Sequence, residues 1–181
     1  MVIETRHLFI RESEFADCRL FAEWETSPSV TEFSTIGEGR DYEQVTREYV
    51  RRCNEPDKLQ FTIVYKESEE AIGRICVGCI DREFDSCDIT RIYIAYSDMR
   101  RKGYAEEAIL ALLDYFFTNM NMERITLDYM PGNKPAEALY YKLGFSHEGI
   151  LRNAAKKEGR YFDLHKMSML RSEFYEKHGT N

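Results

Sequence analysis

Three cations and a glycine stand together at Arg100, Arg101, Lys102 and Gly103. The residues before them, 88–96, alternate as a strand does. Ile89, Arg91, Tyr93 and Ala95 are expected on one face and Thr90, Ile92, Ile94 and Tyr96 on the other. The residues after them carry Ala105, Ala108, Ile109, Leu112 and Phe116 at the spacing of one helical face. A helix start offers unpaired N–H groups and the positive end of the helix dipole. Glycine lets a backbone come close to a ligand. A strand, a basic glycine loop and a helix in that order could therefore hold a pyrophosphate. The loop fits neither the GxxxxGK[ST] nor the GxGxxG pattern, and the plain alternative is a basic, glycine-containing turn with no ligand.

The other reactive side chains are five cysteines: Cys18, Cys53, Cys76, Cys79 and Cys87. An odd number without a secretion signal reads as free thiols. Cys76 and Cys79 have the CxxC spacing but lie in an apolar, strand-like run, where alternation puts the two sulfurs on opposite faces. They are expected to pack rather than bind metal, as is Cys87, so no metal site is expected.

These groups have to be positioned by a chain of 181 residues, which suits one domain. Its 43% hydrophobic and 31% charged residues are those of a globular protein. A net charge of −7 argues against non-specific nucleic-acid binding and mildly favours cationic substrates. An anionic cofactor then needs a local basic site, which residues 100–102 supply. No apolar run approaches a membrane span and the N-terminus does not read as a signal peptide. The expected location is cytoplasmic, away from membranes.

Taken in order, residues 5–12 read as a strand, and Ser13 is placed to cap a helix reaching Trp24. Residues 28–40 read as a loop with two glycines. Asp41 is placed to cap a second helix over residues 42–53. Residues 60–65, 71–80 and 88–96 read as an antiparallel meander. After the long helix, residues 124–128 form a strand that the helical crossover makes parallel to the one before the basic loop. Asn133 is a sound N-cap, Pro135 suits a first turn and Gly144 is a helix stop.

Two stretches carry a family resemblance. Residues 100–105 are similar to the Arg/Gln-x-x-Gly-x-Gly/Ala loop of the GNAT acetyltransferases. Asn133-Lys-Pro-Ala-Glu-Ala-Leu-Tyr-Tyr-Lys-Leu-Gly-Phe145 resembles their second signature, Asn-x-x-Ala-x-x-Leu-Tyr-x-Lys-Leu-Gly-Phe. Residues 148–152 and 159–163 resemble the C-terminal hairpin of the subgroup containing ribosomal-protein N-terminal and spermidine acetyltransferases. The resemblance implies an α/β (α+β) fold. One GNAT-type domain would span residues 1–170, with a mixed, mostly antiparallel sheet flanked by helices and a parallel strand pair splayed at the acetyl-CoA site. Residues 171–181 would be a polar tail.

It also implies acetyl-CoA as co-substrate and direct acetyl transfer to a primary amine: a polyamine, a protein N-terminus or a small amine such as an aminoglycoside. Carried over residue by residue, the pantetheine arm meets Tyr93, Ile94 and Ala95. The pyrophosphate meets Arg100, Arg101, Lys102, Gly103, Tyr104 and Ala105. Asn133 and Lys142 contact the cofactor, and Tyr140 protonates the departing thiolate. Tyr141 is its neighbour, and successive helical residues point about 100° apart, so only one should face the cofactor. Two positions depart from the family. Many relatives have a glutamate base where Thr90 stands, leaving Asp88 as a candidate acting through water. Arg101 stands where glycine is frequent and would be strained at positive φ. The missing glutamate keeps a second reading open, a non-catalytic acetyl-CoA sensor. A homodimer is the family expectation.

Overall fold

The computed structural model describes residues 1–35 and 40–179. Its strands are β1 (Val2–Glu4), β2 (Leu8–Glu12), β3 (Leu59–Tyr65), β4 (Glu70–Asp81), β5 (Ser86–Ile94), β6 (Arg124–Tyr129), β7 (Ser146–Lys157) and β8 (Arg160–Leu170). Among the described residues they form one sheet in the order β1-β2-β3-β4-β5-β6-β8-β7. The helices are α1 (Cys18–Trp24), α2 (Pro28–Thr31), α3 (Tyr42–Cys53), α4 (Tyr104–Thr118), α5 (Lys134–Leu143) and α6 (Arg171–His178). Every strand pair is antiparallel except β5–β6, which the crossover through α4 makes parallel.

That parallel pair sets up the site. Its rungs run from Ser86↔Arg124 to Ile89↔Leu127 and then stop, although β5 continues to Ile94 and β6 to Tyr129. Beyond Ile89 the two strands part and leave an opening between them. The helices hold the sheet from both sides. Leu8, Ile10, Phe61, Ile63, Ile75 and Ile94 form one core with Ala108, Ile109, Leu112 and Phe116 of α4 and Tyr140 and Leu143 of α5. On the other face Cys18, Phe21 and Trp24 of α1 and Val45 of α3 pack near Ala95.

Several local expectations change. Thr90 is an extra residue in β5: Cys76 pairs with Arg91 and Val77 with Ile89, so Thr90 has no partner across the ladder. The bulge breaks the expected alternation, and Ile89 joins Ile92 and Ile94 at the α4 side instead of Arg91 and Tyr93. Ser13 does not cap α1. Its hydroxyl pairs with Thr62 at 3.0 Å, while Asp17, held by Arg11 at 2.7 Å, accepts the Glu14 N–H at 2.8 Å and starts a 3₁₀ turn at Phe15–Asp17. Of the loop expected over residues 28–40, the start is the short helix α2 with Pro28 in its first turn. Gly37 and Gly39 lie outside the described residues. The segment read as a polar tail forms α6, seated by buried Phe174, whose ring lies 5.2 Å from that of Phe117.

Asp41 caps α3 as expected, accepting the Gln44 N–H at 2.8 Å. Cys76 is buried and Cys79 exposed, and all five thiols are free. Cys79 sits at φ 53° in a second bulge, where β4 takes an extra residue between the Gly78 and Asp81 rungs.

Candidate active site

Ala95 donates its N–H to Ile72 O at 2.8 Å, so that group is spent inside the sheet. Alternation of backbone direction then turns the N–H groups of Ile92 and Ile94 toward the opening, and those of Tyr93 toward β4. Gly73 is what lets β4 lie this close, because a Cβ there would come within 2.4 Å of Tyr93 O.

The Arg100 side chain turns back onto this strand end. Its Nε donates to Ile94 O at 2.8 Å and its Nη2 to Ala95 O at 3.1 Å. Arg101 and Lys102 are exposed, and among the described residues neither forms an ion pair. Arg101 does adopt positive φ, 59°, the strained geometry anticipated for a side chain at that place. Gly103 sits at φ 88° as the N-cap of α4. Among the described residues no side chain caps this helix, and a Cβ on Gly103 would meet nothing within 4 Å. The first-turn N–H groups therefore face open space beside two free cations, an arrangement that fits a pyrophosphate. Tyr104 is buried against Tyr65, ring centroids 5.3 Å apart, and Ala105 packs on the core. Their side chains anchor the loop and leave only main chain for a ligand.

The first-turn acids of α4 are engaged elsewhere. Glu107 accepts from the His7 N–H at 2.7 Å and the Thr5 hydroxyl at 2.5 Å. Glu106 pairs with Lys142 at 2.6 Å, which ties α5 to α4. Asn133 caps α5 by accepting the Ala136 N–H at 3.3 Å. On α5, Tyr140 is 7% exposed and Tyr141 49%. Tyr140 packs against Tyr129 and Phe145, centroids 6.1 and 6.0 Å away, and its hydroxyl makes no hydrogen bond among the described residues. Burial pushes its pKa well above the usual phenol value, and the Asp128 carboxylate adds to that rise. The proton therefore stays on Tyr140 at neutral pH.

Asp128 follows the last β5–β6 rung, on the face opposite the α4 core. It is partly exposed, and burial together with Asp88 raises its pKa despite Lys166 at 3.8 Å. Asp88 itself is taken: Lys166 Nζ lies 2.6 Å from it and the Thr126 hydroxyl also donates to it. Of the two carboxylates, Asp128 has the freer oxygens.

A charge network that the sequence reading missed braces the same face. Glu25, fully buried, accepts from Arg74 at 2.7 Å, Arg40 at 2.8 Å, Arg91 at 3.2 Å and the Tyr93 hydroxyl at 3.1 Å. Arg74 stacks on Phe21 and also donates to Gln60 at 2.8 Å. Burial would raise the pKa of Glu48, but Arg91 and Arg40 hold it down at about 2. The signal lay in Arg74 and Arg91, cations inside apolar strand runs that cannot be buried unpaired. Glu25→Gln should therefore destabilise the fold by about 3–5 kcal/mol in urea unfolding, because Arg74 would keep its charge and lose its carboxylate. Glu43→Gln, at the exposed pair with Arg47, should stay within about 1 kcal/mol. Equal small losses from both would mean that the network carries no special share of stability.

The family model for the acetyltransferase (GNAT) domain matches residues 7–146. The chain belongs to the GNAT acetyltransferases. An uncharacterized N-acetyltransferase, p20 of Bacillus licheniformis, is 32% identical to it over 174 residues, 94% of this chain and 96% of the relative. The spermidine N(1)-acetyltransferase of Vibrio cholerae is 38% identical over 73 residues, 40% of this chain and 42% of that protein. Among solved structures, spermidine N-acetyltransferase from Vibrio cholerae in complex with CoA and spermine superposes with a TM-score of 0.83. It covers 94% of this chain and 99% of that chain at 24% identity, a likeness of fold. As a GNAT member the protein is an acetyl-CoA-dependent N-acetyltransferase that moves an acetyl group to an amine, and acetyl-CoA is its co-substrate. The mixed sheet with one parallel pair is the GNAT fold expected from the two signatures. No described helix is long and apolar enough to cross a membrane.

Proposed function

We propose that this GNAT protein transfers acetyl directly from acetyl-CoA to a primary amine in the opening where β5 and β6 part. One observation carries the reading. Tyr140, protonated and without a hydrogen-bond partner among the described residues, approaches that opening from α5, while the Asp128 carboxylate borders it from the other face. Acetyl-CoA supplies the activated acyl group as a thioester. The N–H groups of Ile94 and the missed Ile92 are directed to polarise its carbonyl, with Tyr93 and Ala95 holding the strand edge in place. Main-chain N–H groups of Gly103, Tyr104 and Ala105 receive the pyrophosphate. Arg101 and Lys102 add charge, and Arg100 fixes the loop to the strand end. Asn133 and Lys142 border the cofactor from α5.

The proton balance closes on two side chains and solvent. Asp128 takes one proton from the ammonium and so frees its lone pair, and the second nitrogen proton leaves to solvent as the new C–N bond forms. As the C–S bond breaks, the thiolate takes the proton of Tyr140, which is restored from solvent. The acceptor class follows the family: a polyamine, a protein N-terminus or a small amine. The family resemblance and the net charge of −7 support a cytoplasmic homodimer with no nucleic-acid partner.

The test is thiol release from acetyl-CoA across a panel of such amines, with calorimetry on acetyl-CoA. Gly103→Val should weaken acetyl-CoA binding by about tenfold or more. The variant strains a left-handed position and fills the space where backbone meets phosphate. Unchanged affinity in that folded variant would remove the loop from the site.

A further inference from the structure

We infer that the acceptor amine carries a carboxylate, and that Arg52 receives it at the mouth of the opening. The inference rests on the acetyl-transfer reading above. Arg52 ends α3 and is only 9% exposed. Its Nη2 donates to the Thr90 hydroxyl at 2.9 Å, and its buried Nε has no partner among the described residues. Thr90 is the extra residue immediately after the last rung between β5 and β6, and it is exposed. Arg52 therefore sits on the α3 side of the sheet at the level where the strands begin to part, beside a Thr90 side chain whose own hydroxyl donates to Cys76 O of β4 at 3.2 Å.

A guanidinium buried this far is costly unless an anion balances it. The chain's own carboxylates nearby are committed. Glu48 serves Arg40 and Arg91, and Glu25 serves Arg74, Arg40 and Arg91. Glu55, one turn on from Arg52, pairs with Lys58 and lies 4.0 Å from Arg51. Asp88 pairs with Lys166. Among the described residues Arg52 has no ion pair. Arginine is suited to this duty, since its planar fork matches a carboxylate and is always charged. A substrate with an amine at one end and a carboxylate at the other would meet Asp128 and Arg52 with the matching signs. A polyamine has no group for Arg52, and its cationic chain would meet there a cation that has no ion pair among the described residues. The favoured class is thus an amino acid or a peptide with a carboxylate near its free amine.

The test uses protein saturated with CoA. Calorimetry would compare glycine, β-alanine, glutamate and the dipeptide glycylglutamate, each against its amide counterpart, with spermidine as a further ligand. At least one acid should bind about tenfold or more tightly than its amide, the margin of a charged hydrogen-bonded pair. Arg52→Gln should erase that margin while leaving acetyl-CoA affinity unchanged, and Arg52→Lys should keep part of it. Arg52→Gln removes an unpaired charge, so its near-ultraviolet circular dichroism should match the parent. The inference is overturned if no acid outbinds its amide, if spermidine binds best, or if the margin survives in Arg52→Gln. Failure of the acetyl-transfer reading would show separately, as no thiol release from acetyl-CoA with any amine.

Discussion

Tyr140→Phe is expected to lower kcat by about 10²–10⁴-fold, the usual share of a positioned general acid. The change keeps the ring between Tyr129 and Phe145 and removes only a hydroxyl that has no hydrogen-bond partner among the described residues. Stability should hardly move, because no internal hydrogen bond is broken. Acetyl-CoA affinity should also hold, since the lost interaction matters mainly in the transition state. Tyr141→Phe is the control: half-exposed on the next position of α5, it should be nearly silent. Steady-state kinetics with chemistry rate-limiting would decide. A fully active Tyr140→Phe would mean that the thiolate leaves without this acid, and equal losses from both variants would mean that the helix face is misread.

The second large effect is expected at Asp128. A lysine-like amine has a pKa of about 10.4 and arrives charged at neutral pH. Asp128→Asn keeps the shape and removes the proton acceptor, so kcat/KM at pH 7 should fall by about 10²-fold or more. The loss should shrink as pH rises toward the amine's own pKa, because solvent then removes the proton. A merely structural role would give a loss independent of pH. Asp88→Asn is the comparison. Its carboxylate is held by Lys166 and Thr126, so the variant should cost stability more than it changes the pH profile. A flat pH profile for the Asp128→Asn deficit would contradict the assignment.

What was legible in the sequence was what local pattern encodes. The cap at Asp41, the stop at Gly144, the basic loop at a helix start and the inward turn of Tyr140 rather than Tyr141 all rest on spacing within one element or on a signature. What was not legible depends on contacts between distant segments. Thr90 shows this best. Strict alternation put Ile89 with Arg91, but the ladder with β4 accommodates Thr90 as an extra residue and turns Ile89 into the core. Arg74 and Arg91 looked like ordinary strand residues until Glu25, from α1's end, and Glu48, from α3, closed around them. Asp128 was visible only as the last letter of a short strand. The role proposed for it rests on where the β5–β6 rungs stop, which no local pattern records. Arg52 stands in the last turn of α3, a place that the helix dipole alone makes favourable for a cation, so its type there signals nothing more.

The central claim is that transfer takes place where β5 and β6 part, under the hydroxyl of Tyr140. A structure of the protein with CoA bound tests it most directly. The account predicts the CoA sulfur within about 3.5 Å of Tyr140 Oη, the reach of a hydrogen bond to sulfur. It also predicts the pyrophosphate on the main chain of residues 103–105 and the pantetheine arm along the free edge of β5. A sulfur seated away from Tyr140, or a pyrophosphate bound elsewhere than the α4 N-terminus, would contradict it.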